Sequence, residues 1–279
     1  MNDDRVDRPG ITLIVRRDRL LRPGHLVPML VDDLERSGAR VRLIDPDDEA
    51  VTLHDMRSGD VDTYVLASPS EAALSLAGAL EQSGGSVLPR YAVAAGCRDK
   101  IVQTAVLSHA GVPIPASWLT VDPDTLAGEL TRGPLLFKDP RGSQGRGLHL
   151  VRHPVDLGHL SRGTPWLVMR YHPPDGPDLK LYRIDDEVHG VARVFPARSL
   201  ADKVGRPLDV TAELRGLALR CGDAFGTTVC GVDVIRSDGR LWVVDMSSLP
   251  GFKGVPDAAA RLARVVLARA RGQRLERAS

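Results

Sequence analysis

The chain has 279 residues, enough for two or three small α/β units around a substantial core. Hydrophobic residues make up 43% and charged residues 26%, with a formal net charge of +1, which argues against disorder and against a global basic field for nucleic acid. Aromatics at 4% leave few platforms for stacking bases, and no apolar run approaches the roughly 18 residues of a membrane span.

The opening MNDDRVDRPG lacks the apolar core of a signal peptide, so a cytoplasmic protein with no membrane partner is expected. Cys97, Cys221 and Cys230 are odd in number and widely spaced, as in a reduced protein with neither a disulfide framework nor a Cys-type zinc site. The short run ITLIV at 11–15 reads as a strand. Leu26, Leu30 and Leu34 mark a helix that Gly38 stops. VRLI (41–44) and TYVLA (63–67) read as strands, and Ser70 as the N-cap of EAALSLAGALEQ, which Gly84 ends. This alternation predicts a small parallel α/β domain over residues 1–92.

A second segment opens with a helix from about Arg98 to Ala110, ended by Gly111 and the prolines of GVPIP. PLLFK (134–138) and LHLV (148–151) read as strands joined by the glycine-rich turn GSQGRG at 142–147. WLVMRY, LKLYRI and VHGVARV follow as successive strands up to residue 194. The stretch 196–208, with Pro196 and Pro207, is the candidate mobile loop. A helix is expected from Asp209, as its cap, to Phe225. TVCGVDVI and LWVVDM form a hairpin around Ser237-Asp238-Gly239, and a last amphipathic helix begins near Pro256.

The hairpin carries the clearest chemistry. A turn centred on Gly239 sets residues equidistant from it opposite one another, and Asp233 and Asp245 are such a pair. Opposed carboxylates about 5 Å apart repel by roughly 3 kcal/mol at an effective dielectric of about 20, a cost that a bound cation turns into affinity. Oxygen ligands without cysteine or histidine point to magnesium, with manganese as the alternative, and Ser247 lies on the same strand face as Asp245. The turn GSQGRG sits between two strands, which is neither a Rossmann nor a P-loop context, yet such a loop can still fold over phosphates. Lys138, at the end of an apolar strand, suits a phosphate oxygen. The histidines between 149 and 189 show no helical ligand pair and read as surface residues.

Arg98-Asp99-Lys100, GVPIP, FKDPRGSQGRG, Gly176-Pro177-Asp178-Leu179-Lys180, Arg193, GVDVI and VVDMSSLPGFKGV occur in this order. Together they resemble the ATP-grasp superfamily over about residues 93–270. The likeness is greatest to the branch of ribosomal-protein glutamate ligases and lysine-biosynthesis carrier-protein ligases. The resemblance implies an α/β (α+β grasp) architecture, with a lid subdomain over 93–170 and a large subdomain with the metal site over 171–279. It implies ATP and Mg2+ as cofactors. Lys100 and Lys138 would contact ATP phosphates, while Gly142, Ser143, Gly145 and Gly147 close over the triphosphate. Val168, Met169, Arg170 and Tyr171 would hold adenine through the backbone. Lys180 and Arg193 would stand by the γ-phosphate, and Asp233, Asp245 and Ser247 would hold metal. Two positions depart from the family pattern: Met169-Arg170 stands in place of the usual Gln-Glu, and Ser247 in place of asparagine.

The implied activity is a carboxylate–amine ligase acting through an acyl phosphate. Its partners would be a small-molecule or peptide carboxylate and an amine, with homo-oligomerisation left open. The alternatives are a kinase similar to the ATP-grasp inositol phosphate kinases, with Arg16, Arg17, Arg19 and Arg22 as phosphate ligands, and a non-catalytic nucleotide-binding module.

Overall fold

A computed structural model describes residues 8–21, 25–53, 61–142, 147–194 and 199–278. The strands expected at 11–15, 41–44 and 63–67 are present, joined by a fourth that the sequence reading did not include. Strands β1 (Gly10–Ile14), β2 (Arg40–Ile44), β3 (Thr63–Leu66) and the short β4 (Val87–Leu88) form a parallel sheet in the order β2-β1-β3-β4. Helix α1 (Leu26–Arg36) buries Leu26, Leu30 and Leu34. In α2 (Glu71–Gln82) the Ser70 hydroxyl accepts from the Ala73 N–H at 3.2 Å, an orphan donor of the first turn. Helix α3 (Tyr91–Arg98) then stops at Asp99. That residue is extended and caps α4 (Lys100–His109) by accepting from the Ile101 and Val102 N–H groups.

Four antiparallel strands follow: β5 (Ser117–Thr120), β6 (Leu135–Lys138), β7 (Leu148–Val151) and β8 (Trp166–Arg170), in the order β5-β8-β6-β7. Phe137, Leu135, Trp166 and Val168 pack its core.

The third sheet has the order β11-β10-β9-β12-β13 and is antiparallel throughout. Its strands are β9 (Asp178–Ile184), β10 (Glu187–Arg193), β11 (Arg206–Leu208), β12 (Val229–Ser237) and β13 (Arg240–Ser247). Helix α6 (Ala212–Phe225) covers the face bearing Leu181, Val232 and Val243. Its cap is Thr211, whose hydroxyl accepts from Leu214, and not the expected Asp209. Helix α7 (Ala258–Ala278) starts two residues beyond Pro256 and returns to α1, burying Leu262, Ala263 and Val266 in the core that holds Ile11, Leu13 and Leu30.

The described part of the stretch expected as a mobile loop, residues 199–208, has regular structure. The short α5 (Leu200–Val204) is opened by a Ser199–Asp202 capping box. Strand β11 pairs along β10 with Pro207 on the sheet edge, where a missing N–H does no harm. Residues 195–198 lie outside the described residues. Among those described, no helix is long and apolar enough to cross a membrane.

Candidate active site

The site lies on one face of the five-stranded sheet. Along β9 the alternation puts Asp178, Lys180 and Tyr182 on that face. Their cross-strand partners share it: Arg193 opposite Asp178 on β10, Asp233 opposite Lys180, and Gly231 opposite Tyr182 on β12. On β13, Asp245 opposes Asp233 and Ser247 opposes Gly231.

The aspartates meet as expected, by a different route. Ser237 pairs with Arg240, so the turn has only two residues, Asp238 (φ 49°) and Gly239 (φ 71°), both left-handed as a tight hairpin requires. That register alone would misalign the carboxylates by one residue. A bulge restores it: Val234 pairs with Val243 and Asp233 with Asp245, leaving Val244 without a partner.

The bulge has a second effect. The Val244 carbonyl accepts from Lys138 Nζ at 3.1 Å, which ties β6 of the four-stranded sheet to β13. Lys138 is only 6% exposed, and burial pushes its ammonium below the usual lysine range. Lys100, at the start of α4, reaches Asp245 at 3.1 Å, and Lys180 reaches Asp233 at 2.8 Å. Lys100, Lys138, Lys180 and Arg193 thus share this region with three carboxylates, Asp178, Asp233 and Asp245, leaving a small excess of positive charge suited to phosphates. Gly231 is needed here because a Cβ would lie 2.9 Å from Pro250 and 3.0 Å from Lys180 Cε.

Arg193 donates to the Tyr182 hydroxyl and stacks over its ring, with Cζ 5.6 Å from the centroid. The Lys253 main-chain N–H also donates to that hydroxyl, and the Phe252 ring lies 5.4 Å from Tyr182. Burial pushes the phenol up to about 12, so it is neutral in the working range. Asp178 is pushed up to about 6 by burial first and by Asp233 second. Sequence reasoning quoted Asp178 within its motif without giving it a role. It missed Tyr182, whose position on the Lys180 face was the available signal.

In the glycine turn, Asp139 N–H donates to the Gly147 carbonyl at 2.9 Å and Gly142 N–H to Asp139 at 3.0 Å. Gly147 has φ 72°, and a Cβ there would lie 2.8 Å from Asp139 Cβ, so the loop base requires glycine. Ser143 and Gly145 lie outside the described residues. The expected adenine hinge is narrowed. Met169 sits in register between Ser117 and Leu136, Arg170 N–H donates to Ala116 and Tyr171 N–H to Pro134. These donors are spent in the sheet. Pro134, whose carbonyl accepts from the Tyr171 N–H, has no N–H of its own to donate in return. The Arg170 guanidinium is tied to Glu129 at 2.8 Å and to the Gly133 carbonyl at 2.6 Å.

Two of the arginines near β1 pair with acidic neighbours. Arg17 pairs with Glu49 at 2.8 Å and Arg16 with Asp18 at 3.2 Å. Arg19 donates to the Ala67 carbonyl, and Arg22 lies outside the described residues.

Two antiparallel sheets bridged by a buried lysine, a glycine turn at the end of one and paired aspartates on the other, define an ATP-grasp fold. The pattern of the RimK-like ATP-grasp domain matches residues 97–268, and the chain belongs to that family. It is 26% identical over 171 residues to the coenzyme gamma-F420-2:alpha-L-glutamate ligase of Methanococcus maripaludis, covering 56% of this chain and 60% of that protein. The chain thus spans under two thirds of the curated relatives it matches. Among solved structures, the RimK domain ATP-grasp protein of Sphaerobacter thermophilus aligns with a TM-score of 0.71 at 20% identity, covering 92% of this chain and 99% of that one. The ATP-grasp ligase PsnB bound to a minimal precursor aligns with a TM-score of 0.71 at 18% identity, covering 94% and 99%.

Proposed function

We propose that the protein is an ATP-dependent carboxylate–amine ligase. One observation carries the reading: Lys100 and Lys180 pair with the opposed Asp245 and Asp233, and Lys138, from a third element, bonds the Val244 carbonyl next to Asp245. A carboxylate oxygen of the first substrate would attack the γ-phosphorus of ATP, displacing ADP and forming an acyl phosphate. An amine would then attack the acyl carbon, forming the amide and releasing phosphate and a proton.

Lys138 and Lys100 would hold the phosphates, with the turn at 142–147 folding over them. Lys180 and Arg193 would neutralise charge on the transferring phosphoryl group, where such positioning lowers the barrier most. The Tyr171 carbonyl is the available acceptor for the exocyclic amine of adenine. Asp233 and Asp245 fit magnesium, because they are hard oxygen donors in register and the ion keeps several water or phosphate ligands of its own. Ser247 Oγ points to the Gly231 carbonyl at 3.4 Å and would join through water. When bound, magnesium would supply neutralisation of phosphate charge.

The domain division follows the same reading, with 1–92 preceding the lid at 93–170 and the large subdomain at 171–279. The substrates are a small-molecule or peptide carboxylate and an amine, in keeping with the glutamate ligase and the precursor-bound ligase it resembles. Three buried free thiols suit the reducing cytoplasm. The test is product chemistry, with L-glutamate and peptide panels as substrates. A ligase releases inorganic phosphate, and hydroxylamine traps its acyl phosphate as a hydroxamate. A stable phosphoester without free phosphate in phosphorus NMR would make it a kinase instead.

A further inference from the structure

Gln103 is a buried polar residue for which neither the sequence motifs nor the catalytic chemistry above gives a role. It is 3% exposed, in the apolar helix KIVQTAVLSH, and shares its buried face with Leu107. A carboxamide in such surroundings must satisfy both its ends. Its Nε2 donates to the Cys97 carbonyl and to the Met246 carbonyl, each at 2.7 Å, and its Oε1 accepts from the Met246 N–H at 2.9 Å. One side chain thus pairs with both main-chain groups of a single strand residue, as a neighbouring strand would.

The residue so gripped is Met246, between Asp245 and Ser247 on β13. That strand is the edge of its sheet, so its outward N–H and C=O groups have no ladder partner. One helical turn before Gln103, Lys100 reaches Asp245 itself. The Met246 N–H is shared, since it also lies 2.9 Å from Asp245 Oδ1. Without Gln103 that N–H would bond the carboxylate alone, drawing Oδ1 towards the main chain and away from an ion.

We propose that Gln103 is a positioning residue for metal binding: it takes the place of a missing strand on the outer edge of β13, fixing the main chain between Asp245 and Ser247 and leaving the Asp245 carboxylate to the cation. The proposal rests on the assignment of Asp245 as a metal ligand. Outer partners of this kind typically change metal affinity by about 10- to 100-fold when lost.

The probe is Mn2+ binding to the full chain saturated with ADP, read by paramagnetic resonance, beside ADP binding without metal, read by calorimetry. Gln103→Met keeps length and volume without either hydrogen bond. It should weaken Mn2+ by about 10- to 100-fold, with metal-free ADP affinity within about twofold of wild type. Gln103→Glu keeps the acceptor for Met246 N–H and, as a neutral carboxyl, can donate to one of the two carbonyls that Nε2 serves, so it should recover part of the Mn2+ affinity lost in Gln103→Met. A folded Gln103→Met that binds Mn2+ like wild type, or that loses Mn2+ and ADP in parallel, overturns the proposal. Should Gln103→Met fail to fold, Gln103→Glu decides alone: Mn2+ lost as completely as in an Asp245→Asn control also overturns it. Asp245→Asn with undiminished Mn2+ affinity would instead remove the metal assignment on which the proposal rests.

Discussion

Replacing Lys138 by methionine removes a buried cation while keeping nearly the same length and bulk. The residue is 6% exposed, and its ammonium donates to the carbonyl that the bulge at Val244 frees. If Lys138 holds a phosphate oxygen, its loss removes a charged hydrogen bond contributing about 1.5–3 kcal/mol. At about 1.4 kcal/mol per tenfold, that raises the dissociation constant for ADP with magnesium by roughly 10- to 150-fold. The fold should lose little. An unpaired Val244 carbonyl costs about 1–3 kcal/mol, and ending the burial of an ammonium offsets much of it.

The sign of the pH effect follows from the same burial. With its folded value below the ordinary 10.5, Lys138 binds fewer protons in the native chain than in the unfolded one just beneath that pH. Its contribution therefore makes wild-type stability rise with pH through that window, and Lys138→Met should lack the rise. Calorimetric titration with ADP and excess magnesium, beside urea unfolding at several alkaline pH values, measures both effects. Equal ADP affinity in a folded variant would refute the role of Lys138 and weaken the whole cation cluster.

Asp245→Asn should abolish substrate-dependent phosphate release in a coupled assay while the melting temperature stays within a few degrees, since it removes charge and little volume. Asp178, raised to about 6 by burial and then by Asp233, binds more protons folded than unfolded above its ordinary 3.8. Its contribution to stability should fall as pH rises from about 4 to 6, and Asp178→Asn should flatten that slope in pH-dependent chemical unfolding. Burial pushes the Cys97, Cys221 and Cys230 thiols up, Cys230 to about 11 and Cys221 to about 12. A thiol reagent should therefore react with none of them until urea unfolds the chain.

Elements with strong periodicity and caps were legible before any coordinates: the leucine stripe of α1, Ser70 and Gly84 around α2, and the hairpin of β12 and β13. The weak points have physical causes. β4 has two residues and β5 four, too few for alternation to register, and both are held by neighbours far away in the chain. Asp209 and Thr211 are both good caps, and only the path of the backbone selects Thr211. Facing aspartates were inferred from a turn centred on Gly239, and the inference survived because a two-residue turn and a one-residue bulge compensate each other. Proximity of Lys180 to Asp233 follows from strand pairing. The bond from Lys138 to Val244 and the grip of Gln103 on Met246 depend on the packing of separate units, which no local pattern encodes.

The return of α7 to α1 makes the chain a closed circuit. Leu13, Leu30 and Leu34 share one core with Leu262, Val266 and Ala270, more than two hundred residues further along. Helix α1 packs on both the first sheet and α7, so its burial is complete only once the segment after β13 has arrived. Contacts over such separations slow folding, because the loop between them must be closed before they contribute stability. Fragments ending after β13 would leave Leu26, Val27 and Leu30 facing water and prone to association, so the N-terminal sheet is a poor candidate for an independent module. Phe252 and Tyr182 belong to the same core as α1 and α7, so a change in α7 can be felt at Tyr182 and, through its hydroxyl, at Arg193.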